Sequence, residues 1–216
     1  MIAALALLAT ASLLIVLMAS SAAQGQDQKK LETVNPANMD TMYHAVVLTG
    51  MSGDSLTFNV LNTVLKGKDG SVLSKTLTPP TSVQYFYSND TIKYGAEKRT
   101  ALAELQGYTR TDYNTATIDV AGASAVIAAK NMAVSPKDGG IELQVTGFSV
   151  YLPDGTAKSY KLDTPIEAVI TKDQKIMTAT GNPQFRADLQ DASKVGAKFP
   201  ANAAPVKIKD IDAKIK

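Results

Sequence analysis

Cysteine and tryptophan are absent from this 216-residue chain, and histidine occurs once, as His44. Without cysteine there is no disulfide, no thiolate metal site and no cysteine nucleophile. A lone histidine excludes a two-histidine metal centre built from this chain alone. A serine triad would need His44, and no G-x-S-x-G elbow is present to carry the nucleophile. His44 beside Tyr43, at the start of an expected strand, reads as a surface or rim residue. The phosphate-cradling patterns G-x-G-x-x-G and G-x-x-x-x-G-K-[ST] are missing. The lack of tryptophan weakens a sugar-stacking reading, although eight tyrosines remain. Net charge is +2, too small a field to imply nucleic acid as a partner. Asp69, Asp154 and Asp173 sit at expected turns, where aspartate serves the backbone. No cofactor and no catalytic group is implied, so the chain is not expected to be an enzyme.

What is present is a β pattern. In residues 141–185, Ile141, Leu143 and Val145 alternate with Glu142 and Gln144, which in a strand places the apolar side chains on one face. Pro153-Asp154-Gly155 follows as a tight turn. A second alternating run, 166–170, leads through Lys172-Asp173-Gln174 to a third at 176–179, and Gly181-Asn182-Pro183 reverses the chain. The stretch predicts a meander of antiparallel strands with one apolar face.

An earlier stretch repeats it. Leu56, Phe58, Val60, then Asp69-Gly70, then Ser74, Leu77 and Pro80 line up without gaps on Ile141, Leu143, Val145, Asp154-Gly155, Ser159, Leu162 and Pro165, about 85 residues on. That spacing suits a duplicated β unit. The fold class expected is all-β: an antiparallel β-jellyroll or sandwich built from a duplicated strand-turn unit, with an N-terminal apolar helix.

Residues 2–18 are almost wholly apolar, and Ala19-Ser20-Ser21-Ala22-Ala23 supplies small residues after them. Residues 1–23 therefore read as a signal peptide or a retained membrane anchor. Residues 24–40 read as a polar linker, broken by Asn35-Pro36. The duplicated domain is expected over 41–195, with units at about 41–110 and 125–195. Within it Lys66 to Ser71 reads as a hairpin turn, Thr78-Pro79-Pro80 as a chain break, and 108–114 as a polar loop. Residues 96–106 read as a helix or equally as an extended strand pair, and 186–195 as a short helix. Residues 196–216 form a basic tail, read either as an edge strand carrying Val206, Ile208 and Ile211 or as a disordered segment.

Residues 147–185 resemble the lipopolysaccharide-transport family of periplasmic proteins, the OstA-like and LptC-related members. The likeness lies in Asp154-Gly155, Ala168-Val169-Ile170, Lys172-Asp173-Gln174 and Ala179-Thr180-Gly181-Asn182-Pro183. Residues 124–147 repeat part of the pattern, and an apolar segment ahead of a β domain resembles the membrane-anchored member. The chain departs from the family in lacking basic residues before that segment and in its lysine-rich tail. The resemblance implies a jellyroll with a V-shaped apolar interior, acyl chains lying between two sheets, and neighbouring β-jellyroll proteins joined edge to edge. It implies lipid or lipopolysaccharide as ligand, and a periplasmic or cell-envelope location at the inner membrane if the anchor is retained. Inward candidates for a lipid groove are Leu56, Phe58, Val60, Val83, Tyr85, Ile141, Leu143, Val145, Ile166, Ala168 and Ile170. The competing reading is a structural surface or filament subunit assembling by β-strand addition.

Overall fold

The computed structural model describes residues 30–86, 91–94, 106–137, 140–170, 176–180 and 197–215. The N-terminal apolar segment, the Lys172-Asp173-Gln174 turn, the 186–195 helix candidate and all of the 96–106 candidate but Gln106 lie outside them. The described chain is mostly antiparallel β-sheet. Its strands are β1 (Leu31–Glu32), β2 (Met39–Met51), β3 (Ser55–Gly67), β4 (Val72–Phe86), β5 (Thr91–Tyr94), β6 (Tyr108–Thr111), β7 (Thr117–Ile118), β8 (Ala125–Lys137), β9 (Gly140–Tyr151), β10 (Ala157–Ile170), β11 (Ile176–Thr180) and β12 (Val206–Lys207), followed by helix α1 (Ile208–Lys214).

Two three-stranded meanders, β2–β3–β4 and β8–β9–β10, meet through the antiparallel pairing of β2 with β8. Pairing continues from β10 through β11 to β5, and β5 also pairs with β4, so the sheet closes on itself. The two hairpins share a register about 85 residues apart. Lys66 faces Val72, Asn62 faces Thr76 and Phe58 faces Val83; Tyr151 faces Ala157, Gly147 faces Lys161 and Leu143 faces Ala168. Their turns are bonded alike. Gly67 N–H donates to Ser71 O at 2.7 Å and Ser71 N–H to Asp69 Oδ1 at 2.9 Å. Leu152 N–H donates to Thr156 O at 2.9 Å and Thr156 N–H to Asp154 Oδ1 at 2.8 Å. The hydroxyls of Ser71 and Thr156, and then these backbone bonds, hold both aspartates below the usual carboxylate range. Gly70 at φ +80° and Gly155 at +82° occupy the left-handed position that the turn requires. At Tyr43 the repeat meets itself: Tyr43 pairs with Ala128, its own counterpart, so a pseudo-two-fold axis passes between them.

A line of bulges crosses both meanders. The register shifts at Ala45/Val46 on β2 and Val60/Asn62 on β3, and at Lys161/Ile166 on β10. On β8 the register is unbroken, but Asn131 takes a left-handed φ of +56° between the Lys130–Gly147 and Met132–Val145 pairs. Where a register shift inserts an odd number of extra residues, the side-chain alternation reverses. Val60 and Val64 are four residues apart, yet Val60 joins one core cluster and Val64 another. The Thr78-Pro79-Pro80 segment is thus not the expected chain break: β4 runs through it, and the surplus residues are taken up where Thr76 and Thr81 face Asn62 and Val60.

The two faces are covered differently. The inner cluster holds Val46, Leu56, Val60, Val83, Phe148 and Leu162, drawn from both meanders and enclosed by the sheet itself. The outer cluster packs Tyr43, Ala45, Val64, Val126 and Ala128 under residues 112–124 and 197–215. Here the tail departs from expectation. Val206–Lys207 is a two-residue strand on β7, and α1 follows at once. Ile208, Ile211 and Ile215 recur at helical spacing and are buried. A seven-residue helix is too short to persist alone, so tertiary burial, worth about 1.5–3 kcal/mol per isoleucine, makes it helical. The expected linker also departs: Leu31–Glu32 pairs with Tyr108 and Thr109, Arg110 grips Glu32 with two bonds of 2.9 and 2.7 Å, and Val34 and Met39 are buried. The supposed loop at 108–114 accordingly begins as strand β6.

Candidate functional site

Five of the eleven apolar candidates have described side chains, and these five lie in or against the inner cluster. Leu56, Val60 and Val83 are buried in the inner cluster, and Phe58 and Val145 pack against it half-buried. For Tyr85, Ile141, Leu143, Ile166, Ala168 and Ile170 the backbone alone is described. Backbone pairing makes Tyr85 the partner of Leu56. It also makes Ile170, Ala168 and Ile166 the partners of Ile141, Leu143 and Val145. On the other side of β9, Pro136, Val134 and Met132 face the same three residues. Three consecutive rungs of the β8–β9–β10 meander are therefore apolar throughout. The rungs between them, Ala133–Gln144–Glu167 and Ser135–Glu142–Val169, are mixed, each with two polar members and one apolar. The alternation is thus that of a sheet with one apolar face and one mostly polar face.

One rung on this face is polar. His44, Thr63 and Lys75 are neighbours across β2, β3 and β4. His44 lies mid-strand, half-buried, with its Nδ1 2.8 Å from Thr63 Oγ1; it is not a rim residue. Burial pushes its imidazole down to about 4, so it is neutral at pH 7. Lys75 Nζ donates to Gln106 O at 2.8 Å and lies 5.5 Å from the centre of the Tyr108 ring. The counterparts in the second meander are Ala129, Phe148 and Tyr160, again one rung, with the two rings stacked at 4.7 Å. The polar rung escaped a reading based on apolar alternation. Carrying the 85-residue offset one rung past Val60 would have found it, since it places threonine against phenylalanine and lysine against tyrosine.

A second constellation lies on the outer face. Asp212 of α1 accepts hydrogen bonds from Tyr43 Oη, from Tyr113 Oη at 2.6 Å and from Lys66 Nζ at 2.8 Å, with Lys130 Nζ at 3.7 Å. Burial raises the pKa of its carboxyl, but the bonds from Lys66, Tyr113 and Tyr43 and the charge of Lys66 outweigh burial and hold it below the usual range. Burial and the Asp212 carboxylate push Tyr113 up to about 12 and Tyr43 higher. Tyr43, Lys66 and Lys130 fasten α1 to β2, β3 and β8, and Tyr113 ties it to the segment after β6, which gives this group a structural role.

Among the described residues no cluster of histidines, cysteines or carboxylates could hold a metal ion, and no helix is long and apolar enough to cross a membrane. No protein-family model matches the chain, and no curated protein or solved structure is significantly similar to it.

Proposed function

We propose that this chain is an exported lipid-binding β protein that carries or bridges amphiphiles, such as lipopolysaccharide, along an apolar groove. The observation that supports this reading is the set of three wholly apolar rungs on β8–β9–β10, which Val145 joins to the inner cluster. Each methylene buried there is worth about 0.8 kcal/mol, so a partly lined groove suffices to hold a long chain. The reading includes a jellyroll-like interior in which the two meanders splay as walls. It also includes delivery to the periplasm or cell envelope by the N-terminal apolar segment, and edge-to-edge pairing with other β-jellyroll proteins.

Native mass spectrometry of the purified full chain, with bound lipid retained, tests the reading; adducts of lipid mass are expected. Leu143→Arg adds a sharper arm. At an open groove the arginine reaches water with its stem on the apolar wall, so the domain stays folded and the adducts vanish. In a closed core the unpaired charge costs several kcal/mol and the domain unfolds. An unfolded Leu143→Arg variant together with a lipid-free parent would reject the groove and favour assembly by strand addition.

A further inference from the structure

We propose that the rung His44–Thr63–Lys75 seats the carboxylate of a single-chain fatty acid whose hydrocarbon tail lies along the apolar rungs of the same face. This rests on the lipid-binding reading and names the head group that the site takes.

The first argument is position. On the inner side of the first meander, Met42, Leu65 and Leu73 belong to one apolar cluster, and Val46, Val60 and Val83 to another. The polar rung lies between them, one pair from Leu65–Leu73 and across the bulge line from Val60. The second argument is the internal repeat. The same three positions of the second meander hold Ala129, Phe148 and Tyr160. The fold therefore tolerates apolar and aromatic residues here, and structure alone does not demand a histidine, a hydroxyl and a lysine. The third argument is donor capacity. His44 Nδ1 is engaged with Thr63 Oγ1, and no other bond of its ring is found among the described residues. The one fully buried, unpartnered side-chain nitrogen or oxygen among them is Asn62 Oδ1, so His44 Nε2 is not sealed away. With Thr63 donating its hydroxyl proton to Nδ1, the hydrogen sits on Nε2, and the imidazole presents a donor. Lys75, next in the rung, brings the positive charge.

The ring's surroundings are Thr63 on β3 and Ile127 on β8, with Lys75 beyond Thr63. Burial is what depresses its pKa. A carboxylate brought against Nε2 favours the charged imidazolium, so ligand binding is coupled to uptake of a proton from solvent.

His44 is the sole histidine, so the full-length chain gives a single imidazole signal in a ¹H–¹³C spectrum. Laurate and dodecanol, equal in chain length and unlike in head group, are the probes. Saturating laurate is expected to raise the imidazole midpoint from about 4 by at least about one unit, and dodecanol to leave it in place. His44→Gln is expected to weaken laurate by about tenfold or more and dodecanol by less than about twofold. If that variant fails to fold, Thr63→Val, nearly equal in shape, and the unmutated protein's own imidazole signal decide the matter. Laurate binding with an unmoved imidazole and undiminished affinity in the variants overturns the assignment and leaves the lipid-binding reading standing. Failure of both laurate and dodecanol to bind overturns the two together.

Discussion

Asp212→Asn keeps the shape of the side chain and removes the negative charge between Lys66 and Lys130. The carboxylate holds Lys66 Nζ at 2.8 Å, Tyr113 Oη at 2.6 Å and Tyr43 Oη. A hydrogen bond to a charged group contributes about 1.5–3 kcal/mol, against about 0.5–1.5 for a neutral pair. An amide must also turn its own donors toward an ammonium group that can only donate. The aspartate side chain is 12% exposed and the Lys66 side chain 26%, so water screens part of the loss. The total therefore falls short of the roughly 3–5 kcal/mol seen when a fully buried pair is broken. We expect a loss of about 2–3 kcal/mol at pH 7, a fall in melting temperature of roughly 5–10 °C for a chain of this size. The sign with pH follows from the lowered carboxyl pKa. Asp212 stabilises the fold above its unfolded value near 3.8, and that contribution disappears as pH falls through the lower folded value. Urea unfolding of parent and variant, followed by far-UV circular dichroism, reads the difference at neutral pH and near pH 2.5. Equal midpoints at neutral pH, or an undiminished gap in acid, would refute the reasoning.

The same linkage acts at alkaline pH. Tyr43 and Tyr113 have raised pKa values, so the stability they contribute is full below about pH 10 and is lost above it; phenolate absorbance should show two tyrosines ionising late, and Tyr43→Phe should reduce the alkaline loss. His44 works in the opposite direction: its folded value near 4 lies below the unfolded 6.5, so stability should decline as pH falls between the two, and His44→Gln should flatten that decline in acid titrations. Ile211→Ala should cost about 2–5 kcal/mol in urea unfolding, because Ile211 is wholly buried beneath α1. Gly155→Ala and Gly70→Ala should each cost about 1 kcal/mol or more in urea unfolding, since both glycines hold a positive φ and the flexible Lys214 Nζ near Gly155 can give way.

The parts of this fold that were readable in the sequence are those specified locally. Asp69-Gly70 and Asp154-Gly155 announce their turns because a left-handed glycine and an aspartate bonded to the next amide but one are both short-range requirements. Alternation around those turns then sets register, and the 85-residue match of the apolar positions reappears as matching pairs such as Phe58–Val83 and Leu143–Ala168. What could not be read depends on distant partners. Val206, Ile208 and Ile211 suit a strand or a helix equally, and only the face formed by Tyr43, Val64 and Ala128 decides for a helix. Leu31–Glu32 becomes a strand because β6 lies alongside it. The bulge line is equally silent, since Val60-Leu61 reads as an ordinary apolar step within β3. It also hid His44, whose place on the inner face follows from the pairing of β2 with β3 and not from its neighbours in sequence.

The outer core has a history as well as a shape. A chain made from its N-terminus brings out Tyr43, Ala45 and Val64 early and Val126 and Ala128 midway, together with Ala116, Ile118 and Val120, which cover part of that face; the rest of the cover, Phe199, Ile208, Ile211 and Ile215, comes last. The outer core is therefore complete only when residues 197–215 have been made, late in elongation. A chain cut short at residue 205 would lack Ile208, Ile211 and Ile215 and could not seal the face that they cover.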